Sequence, residues 1–212
     1  MRAAVFFFAI GLVVSGCKDP GAEVTAATVE SPAEPKAQPS SGDDPGSKAD
    51  GSLAITPSNS KIEFVGAKVT ASHPGGFTDF GGKVELGEPL EKSQIEVTIQ
   101  TASLYADKEK LTKHLKSPDF FDVRKFPTAT FRSTEIKKDG DAHTIAGDLT
   151  LHGVTNRISF PATISATGAE VSASAEFSIN RQDYGISYPG MRDDLIRDLV
   201  VIKLSLKLPR QR

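Results

Sequence analysis

Apolar residues recur at every second position through most of the chain, and this constrains the fold more than any other feature. Ile95, Val97 and Ile99 alternate with Gln94, Glu96, Thr98 and Gln100. Val171, Ala173, Ala175, Phe177 and Ile179 alternate with Ser172, Ser174, Glu176 and Ser178. Ile202, Leu204, Leu206 and Leu208 alternate with Lys203, Ser205 and Lys207, and shorter runs around Ile62 and Phe64 and from Ile158 to Ile164 behave alike. Successive side chains of a strand point to opposite faces, so each run makes one apolar and one wet face. One-sided alternation favours antiparallel pairing, because parallel sheets are covered on both sides.

Turn residues separate the runs: Pro74-Gly75-Gly76, Gly81-Gly82, Gly87 with Pro89, Asp139-Gly140-Asp141, Thr167-Gly168 and Pro189-Gly190. Gly81-Gly82 lies within a strand-like run and reads as a bulge or bend that lets a sheet curl. With Phe77–Leu86, Thr128–Glu135 and His143–Leu151 added, the count is about seven or eight strands. Periodicity alone leaves a sandwich and a closed barrel both open. One helical excursion interrupts the pattern at Asp107–Lys116, where Leu111 and Leu115 share a face with Leu104 and Asp107 is placed to cap. Pro118 stops it. A second helical turn is expected at Met191–Leu195.

The chain has 212 residues and a net charge of -2. A domain of about 150 residues buries enough surface to fold without a metal or disulfide. Cys17 is the only cysteine, so no intrachain disulfide forms. The mild negative charge and the lack of a basic stripe argue against a nucleic-acid partner. His73, His114, His143 and His152 show no metal-ligand spacing, and no nucleophile elbow or phosphate loop occurs. No metal, cofactor or catalytic residue is therefore expected.

Met1-Arg2 precedes an apolar run from Ala3 to Val14, too short for a bilayer core that needs about 20 residues. It ends in Val14-Ser15-Gly16-Cys17, which resembles a bacterial lipoprotein signal. That resemblance implies removal of residues 1–16 and lipidation of Cys17, with more than one acyl chain making a stable anchor. Lys18 in place of Asp leans towards the outer membrane. Residues 18–52 hold five Pro, four Gly and five Ser and no aromatic residue. They read as a disordered tether with an r.m.s. span of roughly 30–35 Å.

Three blocks carry a family resemblance. The first is His114 to Phe131, HLKSPDFFDVRKFPTATF, where a helix returns to the sheet. The second is Gly147 to Thr155, GDLTLHGVT, and the third Phe177 to Ile186, FSINRQDYGI. In this order the chain resembles the YceI-like family, described as polyisoprenoid-binding periplasmic proteins, over residues 53–209. The resemblance implies an all-β fold, an antiparallel lipocalin-like β-barrel of about eight strands with one or two short helices. It further implies an apolar channel for an elongated lipid: an isoprenoid, a quinone tail or a fatty-acid-like chain.

On that basis the ligand-contacting residues are Phe64, Val97, Phe120, Phe121, Leu149, Leu151, His152, Phe160, Phe177, Ile179, Arg181 and Tyr184. Ile62, Ile95, Leu204 and Leu206 extend the lining. Ala162, Ala173 and Ala175 leave room that larger residues would fill. Arg181 and Asp183 straddle a turn and read either as a head-group clamp or as a structural ion pair. Asp119 and Asp122 read as backbone caps that turn Phe120 and Phe121 inwards. The function expected is binding, storage or transport of such a lipid in the bacterial cell envelope, on the periplasmic side of a membrane. A structural or stress-protective module with a protein partner and an accessory role in quinone-related redox chemistry are the competing readings. The long run Ile202–Leu208 would support a homodimer were it an open edge. Cys17→Ser is expected to move the protein from the membrane to the soluble fraction, checked by fractionation and immunoblotting.

Overall fold

The computed structural model describes residues 19–30 and 52–210. Alternation is realised as antiparallel ladders. In chain order the strands are β1 (Thr28–Glu30), β2 (Ser52–Ile55), β3 (Ser60–Lys68), β4 (Ala71–Phe77), β5 (Phe80–Glu85), β6 (Gln94–Gln100) and β7 (Leu104–Ala106). After helix α1 (Glu109–Leu115) come β8 (Thr128–Asp139), β9 (Ala142–Leu151), β10 (Val154–Thr167) and β11 (Glu170–Asn180). A small hairpin, β12 (Gly190–Met191) and β13 (Asp194–Leu195), precedes β14 (Leu199–Pro209).

Twelve strands form one sheet in the order β2-β5-β6-β8-β9-β10-β11-β14-β3-β4-β7, with β1 added on β10. The sheet is an open, curled half-barrel rather than the closed barrel of about eight strands that was expected. Its ends, β2 and β7, have four and three residues and do not pair with each other. Closure at eight strands is what lets side chains fill an interior; a longer, open sheet curls around a wider space. A register shift falls between Ser133 and Glu135 in β8, where Ser133 Oγ accepts from the Ile95 amide at 2.8 Å. It does not fall at Gly81-Gly82, which pairs in continuous register with Val97 and Thr98.

Tight turns link neighbouring strands. Between β9 and β10 the two turn residues, His152 and Gly153, have φ of 51° and 77°. A two-residue type I′ hairpin requires positive φ at both positions. The Pro74-Gly75-Gly76 triplet, expected as a turn, lies inside β4. A Cβ at Gly75 would collide with the Phe64 ring and the Tyr105 carbonyl. Glycine there lets β3, β4 and β7 close over a ring, a tertiary requirement rather than a turn signal. Met191–Leu195 is the β12–β13 hairpin, not a helical turn, and Gly190 opens it at φ 84°.

β14 sits between β11 and β3, so the expected edge for homodimer pairing is an interior strand. The helix is shorter than expected. Lys108 holds the N-cap without a side-chain bond, and Asp107 instead faces His73 at 3.0 Å.

Part of the expected tether is ordered on the sheet. Where β10 leaves β11 to pair with β9, residues 25–30 fill the gap. β1 runs antiparallel to β10, with Thr28 opposite Ser159 and Glu30 opposite Arg157. Ala26 bridges Ser178 of β11 in parallel. The Ala27 amide donates to the Ser178 carbonyl at 2.8 Å, and the Ser178 amide donates to Thr25 at 3.0 Å. Ala27 is buried in the main apolar cluster with Ile158, Phe177 and Ile179. Burial of Ala27 and satisfied backbone bonds hold this segment, which its polar composition conceals. The expected signal peptide, Cys17 and the rest of the tether lie outside the described residues.

A second apolar cluster, Leu53, Ile55, Phe80, Val84, Val171 and Leu208, packs the end where β10 turns into β11. Gly75→Ala is expected to lower stability by about 1–3 kcal/mol through overpacking. Gly66→Ala, where an added Cβ meets nothing within 4 Å, should shift it by no more than about 0.5 kcal/mol. Urea denaturation of the two variants measures the contrast.

Candidate functional site

The concave side of the sheet encloses a cavity of about 940 Å³. Its walls are the inward faces of the alternating runs. β11 and β14 supply paired rows: Ala173 opposite Leu206, Ala175 opposite Leu204, Phe177 opposite Ile202 and Ile179 opposite Val200. Phe64 and Ile62 of β3 continue across Ile202 and Leu204. On the far wall stand Val97 and Ile95 of β6, Phe131 of β8, Leu149 and Leu151 of β9, and Phe160 and Ala162 of β10.

The rings pack on one another. Phe160 and Phe177 stack with centroids 4.1 Å apart and planes 11° from parallel, and Phe131 leans on Phe160 at 5.7 Å. Gly147 makes this possible, since a Cβ there would lie 2.5 Å from the Phe131 ring. Phe120 and Phe121 line the end where α1 and Tyr188 also stand. Phe121 meets Phe77 at 6.1 Å, and Phe120 meets Tyr188 at 5.2 Å and His114 at 5.0 Å. Their turn is held by Ser117, whose carbonyl accepts from the Phe120 and Asp122 amides. The carboxylates were expected in that role, but Asp119 bonds the His114 ring at 2.9 Å.

Of the twelve residues expected to meet a ligand, ten line this cavity: Phe64, Val97, Phe120, Phe121, Leu149, Leu151, Phe160, Phe177, Ile179 and Arg181. His152 and Tyr184 do not. The His152 ring donates to the Tyr184 carbonyl at 3.0 Å and packs on Phe126 at 4.4 Å, so it secures the hairpin with positive φ. Tyr184 is fully buried in the main apolar cluster beside the turn. Burial, and then the Asp183 charge, push its hydroxyl well above the usual tyrosine range.

Arg181 is on the wall but already engaged. It donates to the carbonyls of Arg197 at 3.1 Å, Ile186 at 2.6 Å and Ile196 at 3.5 Å, and to the Asp198 carboxylate at 2.9 Å. Its ion-pair partner is Asp198, not Asp183. A buried charge satisfied this way ties strands together and offers little to a head group. Residues that sequence reasoning missed include Leu111 and Leu115 of α1, Tyr188 and Met191, which line the open end.

Charged residues gather at that open end. Lys68 pairs with Asp194, whose carboxyl is held below its ordinary value first by that hydrogen bond and also by bonds from Thr70. His73 pairs with Asp107, while Lys108 and Lys110 are exposed. Among the described residues no group of three or more His, Cys, Asp or Glu converges as a metal site would.

A family model described as the YceI-like domain matches residues 53–208. The chain belongs to the YceI-like family. That family is one of periplasmic, lipocalin-like binding proteins. A UPF0312 protein of Pseudomonas putida is 39% identical over 125 residues, which are 55% of this chain and 65% of that protein. One from Photorhabdus laumondii is 41% identical over 98 residues, 45% of this chain and 50% of that protein. The match thus spans less than two thirds of these relatives.

Among solved structures, Burkholderia cenocepacia BcnA superposes with a TM-score of 0.65 at 23% identity, covering 72% of this chain and 98% of that one. A polyisoprenoid-binding domain from Saccharophagus degradans, implicated in plant cell wall breakdown, gives 0.62 at 14% identity over 76% and 99%. These likenesses show the fold.

Arg181→Met leaves buried carbonyls without a donor and is expected to cost about 2 kcal/mol or more in urea denaturation. The Lys68–Asp194 pair adds an acid dependence. A carboxyl depressed on folding contributes stability above its unfolded pKa, and that contribution fades as pH falls through the folded value. Protection of the β12–β13 amides, taken relative to the unstructured exchange rate at the same pH, should therefore fall below about pH 4, and Asp194→Asn should remove this dependence.

Proposed function

We propose that this protein binds an elongated, isoprenoid-like lipid without covalent chemistry, holding or carrying it in the bacterial cell envelope. The observation that carries the reading is a continuous, almost wholly apolar cavity of about 940 Å³ within a curled sheet. That is the upper end of the size of small-molecule sites. Phe64, Val97, Phe120, Phe121, Leu149, Leu151, Phe160, Phe177 and Ile179 are the proposed contacts, with Arg181 as a fixed wall element. The solved domain from Saccharophagus degradans, named for polyisoprenoid binding, supports the same ligand class.

Burial contributes about 0.8 kcal/mol per methylene. Association costs on the order of 4–15 kcal/mol. A short apolar molecule cannot offset that with no polar contact, so the lining suits a long chain. Prenyl, quinone-tail and fatty-acyl chains satisfy it alike. A structural module acting only through its outer surface has no need of such a space. Lipidation of Cys17 would hold the protein at a membrane, with the outer membrane favoured by Lys18.

Native purification followed by lipid extraction and mass spectrometry tests this. A stoichiometric long-chain lipid is expected; its reproducible absence would sink the reading. Ala175→Phe projects a ring into the lumen opposite Leu204 and should reduce bound lipid by about tenfold or more while the protein stays folded.

A further inference from the structure

The open end of the cavity carries an apolar surface of its own. Six large hydrophobic residues are exposed among the described residues, and three of them stand at this rim: Val69 at 40%, Leu195 at 49% and Met191 at 71%. They form one structure. The Val69 amide donates to the Leu195 carbonyl at 3.0 Å, and the residue beside each, Lys68 and Ile196, forms a β-bridge. Met191 also lines the cavity, so the apolar surface runs over the rim into the lumen without interruption.

The N-terminal segment reaches the same end. Asp19 lies 3.7 Å from the Arg197 guanidinium, and Arg197 belongs to the rim. Gly21 packs so closely on Leu199 that an added Cβ would sit 2.5 Å from the Leu199 side chain. Lys18 alone separates Asp19 from Cys17. Two Cα steps span at most about 8 Å. Acyl chains on Cys17 would therefore enter a bilayer close to the cavity mouth. A tether of 35 residues, as the sequence first suggested, would leave the orientation free.

Charge at the rim suits phospholipid. Lys68 is matched by Asp194, Lys113 by Glu109 and Arg197 by Asp19. Lys108, Lys110 and Arg192 remain against Asp107 and Asp193, all five exposed. Apolar tips flanked by surplus positive charge match the boundary between acyl chains and phosphates.

From this geometry we infer that the cavity mouth is a membrane-docking surface. Val69, Met191 and Leu195 enter the lipid surface, Lys108 and Lys110 meet its phosphates, and the Cys17 anchor holds the mouth against it. The occupant is a phospholipid bilayer, and a long-chain lipid passes between bilayer and lumen without crossing water. The inference rests on the lipid-binding reading for the purpose of the opening, but its test is separate.

The test uses the full, lipidated chain reconstituted into vesicles of phosphatidylcholine and phosphatidylglycerol. Single cysteines replace Met191, Leu195 or, as control, Asp141, which lies in the β8–β9 turn at the far end of the ten-residue β9. Each carries a polarity-sensitive fluorophore, and brominated acyl chains are the quencher. Probes at 191 and 195 should be quenched more than about twofold, and the probe at 141 should not. Equal exposure of all three probes, or failure of the protein to stay on the vesicles, overturns the inference. Lipid extracted from soluble Cys17→Ser protein reports on the cavity independently. Bound lipid without quenching removes the docking surface alone; quenching without bound lipid removes the lipid-binding reading alone.

Discussion

The buried guanidinium of Arg181 holds together the end of the molecule on which everything else depends. β11 ends there, and the chain must still travel through Tyr188, the small hairpin and Asp198 before β14 begins. None of that stretch belongs to the main sheet. Its carbonyls at Ile186, Ile196 and Arg197 would face inwards without donors, and one planar cation supplies all three. The side chain most suited on paper to binding an anion is thereby consumed in building the mouth. Away from the mouth the lining is then left apolar.

Leaving space inside a fold is harder than filling it, because cores collapse towards crystalline density. This sheet keeps its lumen by two devices. Its ladder is long, so the backbone bonds fix a radius that the side chains do not set. Gly75 and Gly147 clear room for the rings of Phe64 and Phe131. Small residues such as Ala173 and Ala175 do the rest.

Much of this was legible in the sequence. The faces of β6, β11 and β14 followed from period two, and Phe120 and Phe121 fell at the cavity end because a helix stop precedes them. What could not be read depends on distant partners. Pro74-Gly75-Gly76 has the chemistry of a turn, and only the Phe64 ring across the ladder makes it a strand. Arg181 has Asp183 two residues away, yet its partner is Asp198, brought in by the returning chain. The fragment Thr28-Val29-Glu30 looks like linker because the groups that hold it, on β10 and β11, come well over a hundred residues later. Expecting eight strands missed β4, whose Pro-Gly-Gly reads as a turn, and β1, β2 and β7, three or four residues each and too short to show a period.

The placement of β1 bears on how the molecule is assembled. Its segment precedes β10 by more than a hundred residues, yet the slot it fills does not exist until β10 and β11 are formed and have diverged. Contacts so remote in sequence carry a loop-closure cost before they return any stability. The segment is thus a last piece set into a nearly finished wall. A chain emerging from its N-terminus must hold that piece unpaired until β10 and β11 have followed it.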